Sequence, residues 1–224
     1  MSKLHVAESD KFNWSHALMP DINLCEVQTG YQSIDEPVTK FKVRCSFKQC
    51  LPLKPVIRGI KLWIRRDPRS GYTCDANIYA GEDGDGQSGP LGDKVVKTLV
   101  STIHDGEDAT LAFDRLFTSV HLKDTIRYPA VGTAINTWKN LPVFREKVSR
   151  VDSEFRWNMN GTLAVRWMDT KEVLVLSNFH TNTIGEVRKK QRDGSIINAA
   201  CPDAIQSYRH VMGGGDGADQ MADV

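Results

Sequence analysis

Apolar and polar positions alternate with a period of two over residues 33–42, 57–65 and 72–80, which predicts three strands. Pro68-Arg69-Ser70-Gly71 is a turn that joins the last two as an antiparallel hairpin. The period then changes. Val95, Val96, Leu99, Val100 and Ile103 recur at helical spacing behind Asp93, predicting an amphipathic helix capped by that aspartate. Strand character returns at Thr110-Leu111-Ala112-Phe113, followed by a short helix over 121–127 and a strand over 130–135. After a polar connection over 138–153, Asn160-Gly161 separates strand patterns at 154–159 and 162–168, a strong hairpin signal. Asp169-Thr170 turns the chain into a further strand at 171–177, and a helix is predicted over 204–210 behind Pro202 and Asp203.

This order predicts an α/β protein whose mixed sheet is flanked by helices and interrupted by a β-rich insertion. The expected organisation is a loosely ordered lead-in over 1–30, a core built from 31–135 and 199–224, and an inserted β-rich subdomain over 136–198. The loop over 81–89, GEDGDGQSG, alternates Asp83, Asp85 and Gln87 as a calcium loop does. Ser88 stands where such a loop needs glycine and Lys94 where it needs glutamate, so an exposed connector is expected. The glycine-rich end, Gly213-Gly214-Gly215-Asp216-Gly217, reads by composition as a flexible tail.

Composition narrows the class. With 224 residues, 40% hydrophobic and 25% charged, the chain has the balance of a globular domain. It has no apolar stretch of membrane length, and Met1-Ser2-Lys3-Leu4-His5 opens no signal-peptide core, so the cytosol or nucleus is expected. Cys25, Cys45, Cys50, Cys74 and Cys201 are scattered without zinc or disulfide spacing, which predicts free, mostly buried thiols. The charges are segregated. Between Glu36 and Arg69 ten basic residues face two acidic ones, a net +8 that leaves −7 for the remainder of a chain whose total is +1. Lys40, Lys42, Arg44, Lys48, Arg58, Lys61, Arg65 and Arg66 from this segment form a candidate DNA-binding face. Arg188-Lys189-Lys190-Gln191-Arg192 is a second basic cluster, expected to be an exposed loop and readable as a nuclear address or a phosphate contact.

The candidate chemistry rests on three aspartates in turn-rich or strand-ending contexts, Asp35, Asp114 and Asp216. Carboxylates that converge in this way can hold a pair of divalent cations and cut phosphodiester bonds. Other chemistries find no support. The six histidines lack zinc spacing, no glycine-rich loop precedes a Lys-Ser or Lys-Thr pair, and no Gly-x-Ser-x-Gly elbow occurs.

Five blocks, SIDEPVTKFKVRCSFKQCLPLKP, RGIKLWIRRDPRSGYTCDANIYAG, LAFDRLFTSVHL, VRWMDTKEVLVLSNFH and YRHVMGGGDGADQ, resemble successive blocks of the piggyBac transposase family, in family order. The resemblance implies a ribonuclease H-like core. It assigns Asp35, Asp114 and Asp216 as catalytic and metal-binding acids, with Asp219 as a further acid. It implies two Mg²⁺ ions, DNA as partner, a homodimer and a nuclear location. The family nicks DNA, forms hairpin ends and joins the excised element to a TTAA target. The chain departs from the family pattern at Arg115, where asparagine is usual and where a cation is expected to pair with Asp114. Val43, Cys50, Pro37 and Gly215 also differ from the usual residues. Family members continue into helices and a cysteine-rich zinc module, whereas this chain ends eight residues beyond Asp216, so an incomplete core without a zinc module is expected. Two readings follow, a metal-dependent DNA transposase core and a catalytically inactive transposon-derived fragment acting as a DNA-binding or interaction module.

Overall fold

The strands expected over the first 135 residues are present, and one long strand among them organises the sheet. The computed structural model describes residues 30–43, 45–52, 54–81, 90–104, 106–145, 149–191 and 194–213. β1 (Tyr31–Asp35) and β2 (Val38–Lys40) form one line of strand broken at Glu36-Pro37, where proline has no N–H for the ladder. β3 (Lys48–Cys50), β4 (Arg58–Arg66) and β5 (Thr73–Ile78) follow. β1 and β2 pair with the same edge of β4 in one register, Asp35 opposite Ile64 and Val38 opposite Lys61. Between these pairs the Leu62 N–H donates to the Pro37 carbonyl at 3.0 Å. The opposite edge of β4 takes β5 along its C-terminal half and β3 along its N-terminal half. The β4–β5 turn closes through Asp67, whose carboxylate accepts from Arg69 N–H and Ser70 Oγ, while Gly71 supplies the positive φ of 72°.

α1 (Leu91–Val100), β6 (Thr110–Phe113), α2 (Val120–Thr125) and β7 (Ala130–Thr133) complete the core. β6 runs parallel to β1 and β7 parallel to β6, giving the order β5-β4-β1-β6-β7. An antiparallel three-strand meander followed by two parallel strands, each reached through a helix, is the ribonuclease H-like arrangement. α1 begins two residues before Asp93, with Pro90 as its cap residue. Asp93 is buried in the first turn and accepts from Ser119 Oγ at 2.8 Å, so it ties the helix to the segment after β6 rather than capping it.

β8 (Ser153–Trp157), β9 (Leu163–Met168) and β10 (Glu172–Ser177) form the expected meander, with Gly161 at positive φ in the hairpin. It is not set apart from the core: β10 pairs with β7, Val175 opposite Thr133, and continues the same sheet. β11 (Ile184–Lys190) and β12 (Ile196–Pro202) make a separate two-stranded hairpin where a loop was expected. α3 (Asp203–Gly213) ends the described chain.

The helices cover both faces of the sheet. α1 sets Val95, Val96, Leu99 and Val100 against Ile34, Leu111, Phe113 and Ala130. α3 sets Ala204, Ile205 and Val211 against Ala112, Val131, Trp167 and Val175 on the other face. Each such fully buried aliphatic side chain contributes roughly 1.5–3 kcal/mol. Of the described thiols Cys201 is buried, Cys50 is exposed and Cys45 and Cys74 lie between, so the expectation of mostly buried thiols does not hold among them. The connector over 82–89, the lead-in through residue 29 and the glycine-rich end from residue 214 lie outside the described residues.

Candidate acid site at the parallel strand ends

The parallel register of β1 and β6 sets Ile34 opposite Phe113. The next residue of each strand is therefore an acid, and Asp35 and Asp114 leave the sheet side by side at its C-terminal end. Ile34 and Phe113 face α1, so by alternation the two acids share the face on which α3 packs. Asp35 Oδ1 accepts the Glu36 N–H at 2.7 Å, and Asp35 Oδ2 accepts from Arg66 Nη2 at 3.3 Å. Asp114 heads a tight turn. Its Oδ1 accepts the Leu116 N–H at 2.8 Å, and its carbonyl accepts the Phe117 N–H at 3.2 Å and Thr118 Oγ1 at 2.8 Å. Two glycines let neighbours close on this turn. A Cβ on Gly92 would stand 2.3 Å from the Leu116 carbonyl oxygen, and one on Gly132 2.3 Å from Thr118 Oγ1.

Burial raises the Asp114 carboxyl above its ordinary range; the Leu116 N–H opposes this, while the charges of Asp35 and Glu36 raise it further. Glu36, which sequence reasoning did not single out, thus adds its charge at the same end of the sheet. Its carboxylate pairs with Lys61 and, at 3.7 Å, with Lys54. The β1–β2 line keeps one register with β4 across Glu36-Pro37, and Glu36 meets Lys61 on the face of Trp63, so its side chain points away from Asp35 and acts on Asp114 through its charge. Arg115 occupies an exposed corner of the turn and makes no ion pair with Asp114, correcting the expected pairing; the Leu116 amide has the carboxylate instead.

Asp216 and Asp219 lie outside the described residues. α3, which precedes them, has a readable direction. Its first N–H, of Asp203, donates to the Thr183 carbonyl at 3.0 Å, just past β10, whose last residue Ser177 stands opposite Val131 near the start of β7, whereas Tyr208 OH reaches Thr133 Oγ1, at the end of β7, at 3.4 Å. The helix therefore runs with the parallel strands toward the end that carries Asp35 and Asp114. Among the described residues no cluster of three or more metal-ligating side chains occurs.

The basic face differs from the one expected. Arg65 and Arg66 are only 4% and 2% exposed. Arg65 Nε donates to the Leu99 carbonyl at 2.9 Å, Nη2 to Thr102 Oγ1 at 2.9 Å and Nη1 to Gln32 Oε1, so this guanidinium caps the end of α1. In this conformation neither arginine can reach a phosphate backbone, because alternation in β4 turns both into covered faces. Lys61 is engaged with Glu36 and stacks 5.5 Å from the Tyr79 ring centroid. Lys40, Lys42 and Arg58 are exposed and Lys48 is half-buried, on the β2-β4-β3 lobe that continues directly from Asp35. Arg44 and Arg192 lie outside the described residues. On β11 Arg188 and Lys190 are exposed, while Lys189 turns inward to Asp169 and the Trp167 ring.

Comparison with known proteins agrees with this architecture. The family described as Transposase IS4 matches residues 25–223. The chain is 27% identical to human PiggyBac transposable element-derived protein 3, over 99% of its own length and 41% of that protein. It is also 27% identical to the human chimeric ERCC6-PGBD3 protein, of which it covers 23%. Among solved structures it is similar to a piggyBac transposase in a synaptic complex with hairpin DNA, with a TM-score of 0.72 and 25% identity, over 88% of this chain and 41% of that one. The chain thus spans about two fifths of the first of these relatives. A family match over most of the chain, with the same fold, makes it a member of the Transposase IS4 family, of the piggyBac type.

Proposed function

We propose that the chain carries the core of a piggyBac-type centre for DNA strand cleavage and transfer, in which Asp35, Asp114 and Asp216 act as the catalytic acids. The observation that supports this most is the juxtaposition of Asp35 and Asp114 at the ends of two parallel strands, with Asp114 raised by burial and further by the charge of its neighbours. α3 runs toward the same end, and Asp216 follows it by three residues. The structural neighbour's complex with hairpin DNA supports DNA as the substrate.

The donor set suits a small hard cation. Oxygen ligands from short acids fit Mg²⁺, with Asp35, Asp114, Asp216 and Asp219 as the residues that would hold it. When bound, such ions activate a water or a DNA 3′-hydroxyl and stabilise the leaving oxygen. The protein's own contribution is positional. The Leu116 amide orients Asp114, and the Glu36 amide with Arg66 orients Asp35. Lys40, Lys42, Arg58 and Lys48 offer the phosphate backbone a basic surface adjoining the acids, and a nuclear homodimer is the working context for this chemistry. The test is nicking of supercoiled plasmid by the purified chain in Mg²⁺ or Mn²⁺. Wild type nicks and Asp114→Ala does not; equal nicking by both sinks the proposal. Salt-sensitive DNA association that ignores metal and survives alanine at all three acids identifies a binding module instead.

A further inference from the structure

Each carboxylate of the acid cluster that has a basic partner draws it from β4 or the loop before it, and these cations differ in kind. Lys54 and Lys61, which serve Glu36, have side chains 43% and 16% exposed, whereas the Arg66 side chain beneath Asp35 is 2% exposed. Arg66 stands opposite Ser33 in the β4–β1 ladder, with Nε 3.4 Å from Ser33 Oγ and Nη2 3.3 Å from Asp35 Oδ2. A charge-assisted N–H···O bond is ordinarily about 2.7–2.9 Å long, so at this separation the guanidinium acts more by its charge than by its hydrogen bond. That charge is permanent, since a guanidinium does not deprotonate in a protein. It is also poorly screened, because solvent does not reach it.

We propose that Arg66 is the built-in counter-cation of the acid pair. It holds Asp35 beside Asp114 when no divalent cation is bound, and it opposes the entry of one, so that it sets the affinity of the site. This deepens the metal-centre reading and rests on it. Asp35, Asp114 and Glu36 place like charges at one sheet end, and a fixed buried cation offsets their repulsion in the metal-free chain. The same cation repels Mg²⁺ or Mn²⁺ at short range. Arg66 is therefore a positioning and affinity-setting residue rather than a ligand.

Arg66→Gln keeps a donor on a shorter side chain and removes the charge, and Arg66→Lys keeps the charge. Mn²⁺ binding followed by calorimetry, with folding checked by circular dichroism, separates the two. The expected result is Mn²⁺ binding at least about tenfold tighter in Arg66→Gln, with Arg66→Lys close to wild type. Unchanged or weaker binding by Arg66→Gln overturns the proposal. A second measurement needs no metal: thermal unfolding of Arg66→Gln, Asp35→Asn and the double variant. Counter-cation action predicts that Arg66→Gln lowers Tm in the wild-type background and much less beside Asp35→Asn, including the case in which only the double variant folds. Additive shifts overturn it. Should wild type bind no Mn²⁺ while the shifts are non-additive, the metal reading of the site falls and the counter-cation role stands.

Discussion

At the scale of the residue, two titratable groups, half-buried Asp114 and buried Lys123, link stability to pH in opposite senses. Burial, with the charges of Asp35 and Glu36, raises the Asp114 carboxyl above its ordinary 3.8, so the folded chain holds this proton more tightly than the unfolded one. The stability this supplies is complete below the unfolded value and is lost as pH rises through the folded value. At neutral pH without metal, Asp114→Asn is therefore expected to raise Tm, and the difference should vanish near pH 3.8, a comparison that scanning calorimetry at several pH values checks directly. Lys123 is only 1% exposed; its amine lies 3.8 Å from the Phe113 ring centroid with no hydrogen-bond partner among the described residues. Burial pushes this amine well below its ordinary 10.5, so the unfolded chain binds more protons and stability rises with pH toward that value. Lys123→Met removes the slope and should stabilise the fold at pH 7 by about 1–3 kcal/mol, measured by denaturant unfolding across pH. Nothing local marks either effect. Val120-His121-Leu122-Lys123 reads as an ordinary polar helix turn, and the burial of Lys123 comes from the sheet beneath it.

Between elements, the start of α1 closes tightly on the turn of Asp114. Alanine at Gly92 would gain about 1 kcal/mol of helix propensity, but its Cβ would stand 2.3 Å from the backbone oxygen of Leu116. Backbone cannot move aside as a side-chain tip can, so overpacking of about 1–3 kcal/mol outweighs the propensity gain. Gly92→Ala is expected to lower Tm and to reduce metal-dependent nicking beyond what its stability loss explains, because the displaced turn is the one that aims Asp114. The elements themselves were largely legible. Period two identified β1 with β2, β4, β5 and the meander β8–β10, and Asn160-Gly161 marked the hairpin. β3 was missed because three residues make no pattern, and β11 because four charges among its seven residues masked an alternation that the structure reveals face by face.

For the whole molecule, the sheet decides which of the clustered positive charges can meet DNA. A net of +8 between Glu36 and Arg69 is a property of the sequence, yet β4 buries Arg65 and Arg66 and commits Lys61 to Glu36. Lys40, Lys42 and Arg58 remain exposed. Replacing these three by alanine should weaken DNA association and reduce the slope of log K against log salt by about 2–3, read from binding isotherms over a salt series. Arg65→Met should instead destabilise the fold, since Leu99 O, Gln32 and Thr102 would lose their common donor. A retained salt slope in the triple variant would place the DNA surface elsewhere, with exposed Arg188 and Lys190 of β11 as the next candidates.

The sequence by itself determined the succession of strands and helices, the family, and which acids are candidates, because hydrophobic period and ordered motifs are local properties of the chain. Tertiary structure alone decided that Asp35 and Asp114 adjoin, that the charge of Glu36 reaches Asp114, that the meander extends the core sheet, and that Arg66 lies beneath the acids while Arg115 stands in solvent. These outcomes depend on register between strands far apart in the chain. A one-residue slip between β1 and β6 would leave every local pattern intact and turn one of the two acids to the opposite face.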